Sequence, residues 1–139
     1  ERNRVTLGIE PERANVIDTA AKARRLLDEL QSPCLKVIMD GANLFDPDNL
    51  EDMWLRLAGA FDLLSPDIAQ VHAKDIPATA VPTSQAAGTG CLDWETYFDL
   101  IARAGFRGPI VLHNLDPMQV ASSRDFVLRQ IDRITSQAR

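Results

Sequence analysis

The sequence predicts an α/β protein built on a parallel sheet, and three observations carry that prediction. Short apolar runs alternate with longer segments of helical periodicity along the whole chain. Breakers such as Ser32-Pro33, Ser65-Pro66-Asp67 and Gly108-Pro109 stand between the two kinds of segment. Four of the runs end in an acidic residue or a histidine, at intervals of roughly 30 to 40 residues, about the length of one strand–helix unit. Strict strand–helix alternation puts helices outside a parallel sheet.

The first strand run is Val5-Thr6-Leu7-Gly8-Ile9-Glu10. A helix is expected over about 16–31, capped by Asn15 or Asp18, with Ala20, Ala23, Leu26, Leu27 and Leu30 as its apolar stripe. The second run is Leu35-Lys36-Val37-Ile38-Met39-Asp40. The next helix follows Phe45-Asp46-Pro47-Asp48, with Asp48 or Asn49 as cap and Met53, Trp54, Leu57, Phe61 and Leu64 on its buried face. Ile68-Ala69-Gln70-Val71-His72 is the third run, followed by a long Pro-, Ala-, Thr- and Gly-rich loop over 76–92, a length that marks a functional or mobile segment. The third helix is expected over about 93–104 with Gly105 as its stop, and Pro109-Ile110-Val111-Leu112-His113 is the fourth run. A last helix over about 122–137 presents Phe126, Val127, Ile131 and Ile134. Four such units make half of an eight-stranded barrel. A small open sheet is the alternative, with two edges to cover.

Composition narrows the function. The net charge of −5 argues against a nucleic-acid groove, because phosphate binding needs clustered Lys and Arg. Cys34 and Cys91 stand in no paired motif, which does not suggest a disulfide framework, excludes cysteine-rich zinc ligation and fits a reducing, cytoplasmic compartment. No apolar run approaches the ~18 residues of a membrane span, and no signal peptide is visible. The chain opens on Glu1 almost directly before a strand, so it is expected to begin inside a longer protein.

In a parallel sheet the C-terminal strand ends share one edge, so Glu10, Asp40, His72 and His113 are expected to converge there. Taken singly, Glu10 reads equally as a solvated loop acid, Asp40 as a turn-forming residue before Gly41, and each histidine as an exposed or satisfied imidazole. Together, carboxylate oxygens and imidazole nitrogens suit one divalent ion, Mn²⁺, Co²⁺, Zn²⁺ or Mg²⁺. Lys74 and Asp75 follow His72 and are candidate substrate contacts, or else partners in a salt bridge. Gly88-Thr89-Gly90 lacks the spacing of a phosphate loop and is expected to return the long loop to the next helix. Trp54, Trp94 and Tyr97 are expected in the core.

The ordered set of Glu10 with Asn15, Asp40-Gly41-Ala42-Asn43, Val71-His72-Ala73-Lys74-Asp75, Gly88-Thr89-Gly90-Cys91-Leu92-Asp93 and Ala104-Gly105-Phe106-Arg107-Gly108-Pro109 resembles the xylose isomerase-like sugar phosphate isomerase/epimerase superfamily. The resemblance spans nearly the whole chain and implies the C-terminal half of a (β/α)8 TIM barrel, with residues 1–139 as a single domain. It implies one divalent metal, Mn²⁺ foremost, bound by Glu, Asp, His and a second Glu at successive strand ends. Glu10, Asp40 and His72 match the first three; His113 stands where the second Glu is implied. It also implies that two glutamates move the substrate proton, so Glu10 and His113 are the catalytic candidates here.

These readings lead to a metal-dependent sugar or sugar phosphate isomerase or epimerase of carbohydrate metabolism, acting by proton transfer next to a carbonyl, as part of a longer chain. Its expected partners are a small sugar or polyol, and either a second copy or the missing N-terminal half. No nucleic acid or membrane is expected. The rivals are a catalytically inactive barrel homologue that binds a ligand or partner, and an endonuclease IV-like phosphodiesterase. The second rival needs more histidines and a basic groove.

Overall fold

The computed structural model describes residues 5–45, 50–77 and 85–137. Four strands, β1 (Leu7–Ile9), β2 (Leu35–Asp40), β3 (Ile68–Ala73) and β4 (Ile110–Leu112), form one sheet in sequential order, each parallel to the next. Four helices alternate with them: α1 (Ala20–Leu30), α2 (Met53–Leu64), α3 (Trp94–Arg103) and α4 (Val120–Gln137). The α/β expectation of parallel strand–helix units, part of a TIM barrel, is met.

Strand alternation divides the side chains between two faces. Leu35, Val37 and Met39 of β2 and Val71 and Ala73 of β3 are buried in the core cluster with Ala23, Leu27, Leu57, Phe61, Leu64, Phe98, Ile101 and Val127 of the helices. Ile38, Asp40, Gln70 and His72 alternate with them and so belong to the opposite face, which no helix in the described residues covers. The C-terminal edge of that face carries the polar residues Asp40 and His72.

The helices depart from expectation at their starts. Residues 12–17 form a turn, with Asn15 N–H donating to the Glu12 carbonyl at 2.8 Å and Glu12 N–H to the Ile17 carbonyl at 3.0 Å. α1 therefore begins only after Thr19, whose hydroxyl accepts from the Lys22 amide at 3.2 Å; Asp18 instead pairs with Lys22 Nζ at 2.6 Å. α2 begins at Met53 after Asp52, and the expected caps Asp48 and Asn49 lie outside the described residues. Its buried stripe runs through Met53, Leu57, Ala60, Phe61 and Leu64, which leaves Trp54, one helical step off Met53, 61% exposed rather than in the core. Trp94 and Tyr97 are buried, as expected. α3 is capped by the Asp93 carboxylate on the Thr96 amide at 3.1 Å and stops at Gly105, whose φ of 65° suits glycine.

The described parts of the loop between β3 and α3 are organised by one carboxylate. Asp75, 1% exposed, accepts from the amides of Ile76, Gly88, Thr89 and Leu92 and from the Trp94 indole, all at 2.9–3.0 Å. Gly90 passes so close that a Cβ there would lie 2.0 Å from the Ile76 carbonyl oxygen. The glycines of Gly88-Thr89-Gly90 thus return the loop to α3, as the sequence suggests.

Candidate metal centre

Asp40 ends β2 and pairs in register with His72 on β3. Its Oδ1 is committed to the turn that follows, accepting from the amides of Ala42 at 3.0 Å and Asn43 at 3.3 Å. The turn is tight because Gly41 lies against Tyr97, where a Cβ would meet the ring at 2.9 Å. Tyr97 OH donates to the carbonyls of Met39 or His72, at 2.9 and 3.2 Å, and accepts from Gly41 N–H, so one buried phenol ties the ends of β2 and β3 together beneath the site. Burial holds the phenol pKa well above its ordinary value.

Asp40 Oδ2 points into the site. It lies 3.5 Å from His72 Nδ1, 3.5 Å from His113 Nδ1 and 3.3 Å from Lys74 Nζ. Glu10, just past β1, brings Oε1 to 3.1 Å from His72 Nδ1. Ligand atoms of Glu10, Asp40, His72 and His113 all fall within 4.8 Å of one another. The His72 and His113 rings lie 4.4 Å apart, tilted by 41°. All four strand-end residues expected from the sequence therefore meet at one point.

Electrostatics give the cluster its character. Asp40 carries a large desolvation cost, yet its pKa is lowered because His72 and Lys74 outweigh that cost. Asp40 first, then Glu10, raise the His72 pKa to about 9. At neutral pH the His72 imidazolium thus places a positive charge between two carboxylates, where a divalent cation would also be favourable. Asp40 Oδ2 and His113 Nδ1 are buried atoms without a hydrogen-bond partner among the described residues. Two carboxylates and two imidazoles facing one point, two of their atoms buried without a hydrogen bond, fit a divalent metal ion.

Lys74, 6% exposed, donates to Asn43 Oδ1 as well as facing Asp40. Asn43 Nδ2 in turn donates to Glu10 Oε1 at 2.7 Å. Asn43 thereby links the loops that follow β1, β2 and β3, a role that the sequence shows only as the last residue of a turn motif. A cleft of about 190 Å³ opens beside the cluster, with Glu12, Arg13, Asn43, Lys74 and Gln85 among its lining residues. Lys74 is thus at hand for a substrate oxygen. Asp75, the other candidate substrate contact, has its carboxylate occupied by loop donors. Strand alternation carries the reason, since it sends Lys74 to the side of His72 and Asp75 to the other.

The fold and this edge define a class: parallel (β/α) units, part of a TIM barrel, with a carboxylate–imidazole cluster at the C-terminal ends of the strands. Residues 1–131 match the model of the xylose isomerase-like TIM barrel family, and the chain belongs to that family. It is 27% identical over 107 residues to the ketose 3-epimerase of Arthrobacter globiformis, covering 77% of this chain and 33% of that protein. Among solved structures, a D-tagatose 3-epimerase-like protein aligns with a TM-score of 0.76 at 14% identity, covering 96% of this chain and 49% of that one. The 3-keto-D-glucoside 4-epimerase of E. coli aligns with a TM-score of 0.65 at 21% identity, covering 97% and 47%. The chain therefore spans about a third of the curated relative and about half of these two structural neighbours. None of the described helices is long and apolar enough to cross a membrane.

Proposed function

We propose that the protein is a metal-dependent isomerase or epimerase of a small sugar or polyol, with residues 1–139 forming the C-terminal half of its barrel. The observation that carries the reading is the convergence of Glu10, Asp40, His72 and His113 within 4.8 Å, beside a polar cleft. Glu10, Asp40, His72 and His113 would hold one divalent ion, Mn²⁺ in the first instance, with Co²⁺, Zn²⁺ and Mg²⁺ also suited to the donors. Bound there, the ion supplies Lewis-acid stabilisation of the negative charge that develops on substrate oxygen.

The residues divide the remaining work by position. Glu10 removes the proton from carbon next to the carbonyl; Asn43 holds its Oε1 at 2.7 Å, which fixes the carboxylate for that task. His113, whose side chain is 44% exposed, is the fourth ligand or, where it stays off the ion and protonated, the second acid/base group that returns the proton. Lys74 holds a substrate oxygen from the wall of the cleft. The replacement of a second carboxylate by His113 favours one other reading, a barrel that binds a ligand without turnover.

Solvent deuterium exchange separates the two. The intact protein loaded with Mn²⁺ should wash deuterium into the carbon next to the carbonyl of a small ketose, as seen by NMR. Glu10→Gln should lower that rate by about 10²–10⁴-fold, the usual contribution of a positioned general base. Exchange that is absent across a panel of ketoses, in a protein that does bind the ion, would establish the binding-only reading.

A further inference from the structure

His72 presents Nδ1 to the carboxylates of Glu10 and Asp40, at 3.1 and 3.5 Å, so Nδ1 is the nitrogen that faces the proposed ion. The other ring nitrogen faces Gln70. Its Nε2 lies 2.9 Å from the side-chain amide nitrogen of Gln70. The two residues are two apart on β3, so they share one face of the sheet, and Gln70 is partly buried. An imidazole rotates freely about its last bond unless both edges are held. Here one edge is held by carboxylates and the other by a neutral amide.

We infer that Gln70 is the positioning residue of the metal centre: it fixes the His72 ring so that Nδ1, not Nε2, is presented to the ion. The inference rests on the metal reading above. A neutral amide is well suited to the task because it offers a donor at one end and an acceptor at the other. The amide nitrogen can donate to a bare Nε2. After a half-turn of the amide, the oxygen can accept from Nε2–H, the form that a ring bound through Nδ1 must carry. Outer partners of ligating histidines are commonly worth about 10–100-fold in metal affinity. Gln70 is a glutamine inside an apolar strand run, and its sequence position carries no motif; only the strand alternation with His72 points to it.

The test is a Co²⁺ titration of the intact protein, followed by visible absorption, with Gln70→Leu, Gln70→Asn and Gln70→Glu beside the wild type. Leu removes the polar partner and Asn falls one methylene short of the ring. Both should weaken Co²⁺ about 10–100-fold and alter the d–d spectrum, with far-ultraviolet dichroism unchanged. Glu restores an acceptor at the same reach and should return affinity to within a few-fold of wild type. Wild-type affinity and spectrum in a folded Leu or Asn variant would overturn the role of Gln70 and leave the metal centre standing. A wild type that binds no Co²⁺ at millimolar concentration would overturn both.

Discussion

At the scale of single residues, His72 is where charge and function meet. Its pKa rises from 6.5 to about 9 because Asp40 and Glu10 flank it. The metal-free folded chain thus holds a proton that the unfolded chain releases between those values. The resulting stability is fully present below pH 6.5 and is lost as pH rises through about 9. Thermal melts of the metal-stripped protein should show a falling Tm across that window, and His72→Asn should flatten the curve. The same proton competes with the ion, so metal affinity should rise with pH over the same range, with a proton released on binding. An affinity independent of pH between 6.5 and 9 would contradict the placement of the ion at Nδ1. Asn43→Ala should lower turnover about 10²-fold through the freed Glu10 carboxylate, read as a loss in kcat larger than the rise in KM.

Residue by residue, the candidate ligands are legible in the sequence because each ends an apolar run, and the ends of parallel strands share an edge. Glu10, Asp40, His72 and His113 were found that way, and they meet within 4.8 Å. Gln70 and Asn43 were harder: one is hidden in a strand and the other in a turn, and their partners lie 2 and 33 positions away. The loop bonds of Asp75 are not legible from its neighbour Lys74, because consecutive residues of an extended chain face opposite sides.

Among the elements, strands were read more accurately than helix starts. β2 matches its expected bounds because its run is long and apolar. α1 begins four residues later than its periodicity suggests, because side-chain and backbone bonds over 12–19 close a turn first. The segment after β3 has the length of a functional or mobile loop, and its described part is held by Asp75. Asp75→Ala leaves at least four backbone amides and one indole without their acceptor. It should destabilise the protein by about 3 kcal/mol or more, seen as a lowered midpoint in urea. A midpoint within error of wild type would remove this carboxylate from the account of the loop.

For the whole molecule, the open sheet is the governing fact. Among the described residues, β1 and β4 are each paired on one side only. Val5 and Leu7 beside the first edge are 55% and 63% exposed, and a groove of about 370 Å³ lies between β4 and α4, lined by Ile110, Leu112, Val127, Leu128 and Ile131. Open edges with apolar borders seek partners. We therefore expect residues 1–139, produced alone, to self-associate. Light scattering on a sizing column would read this: a mass above 15.4 kDa is expected, and a stable monodisperse monomer at that mass would contradict it.

The central claim is the metal centre, and a binding titration tests it most directly. Stripped intact protein titrated with Mn²⁺ and then Co²⁺ should take up one ion per chain. Asp40→Ala should lose that binding while keeping its fold, because Asp40 is the carboxylate that faces both His72 and His113. A wild type that takes up no ion, or an Asp40→Ala variant that binds as well as the wild type, would contradict the account.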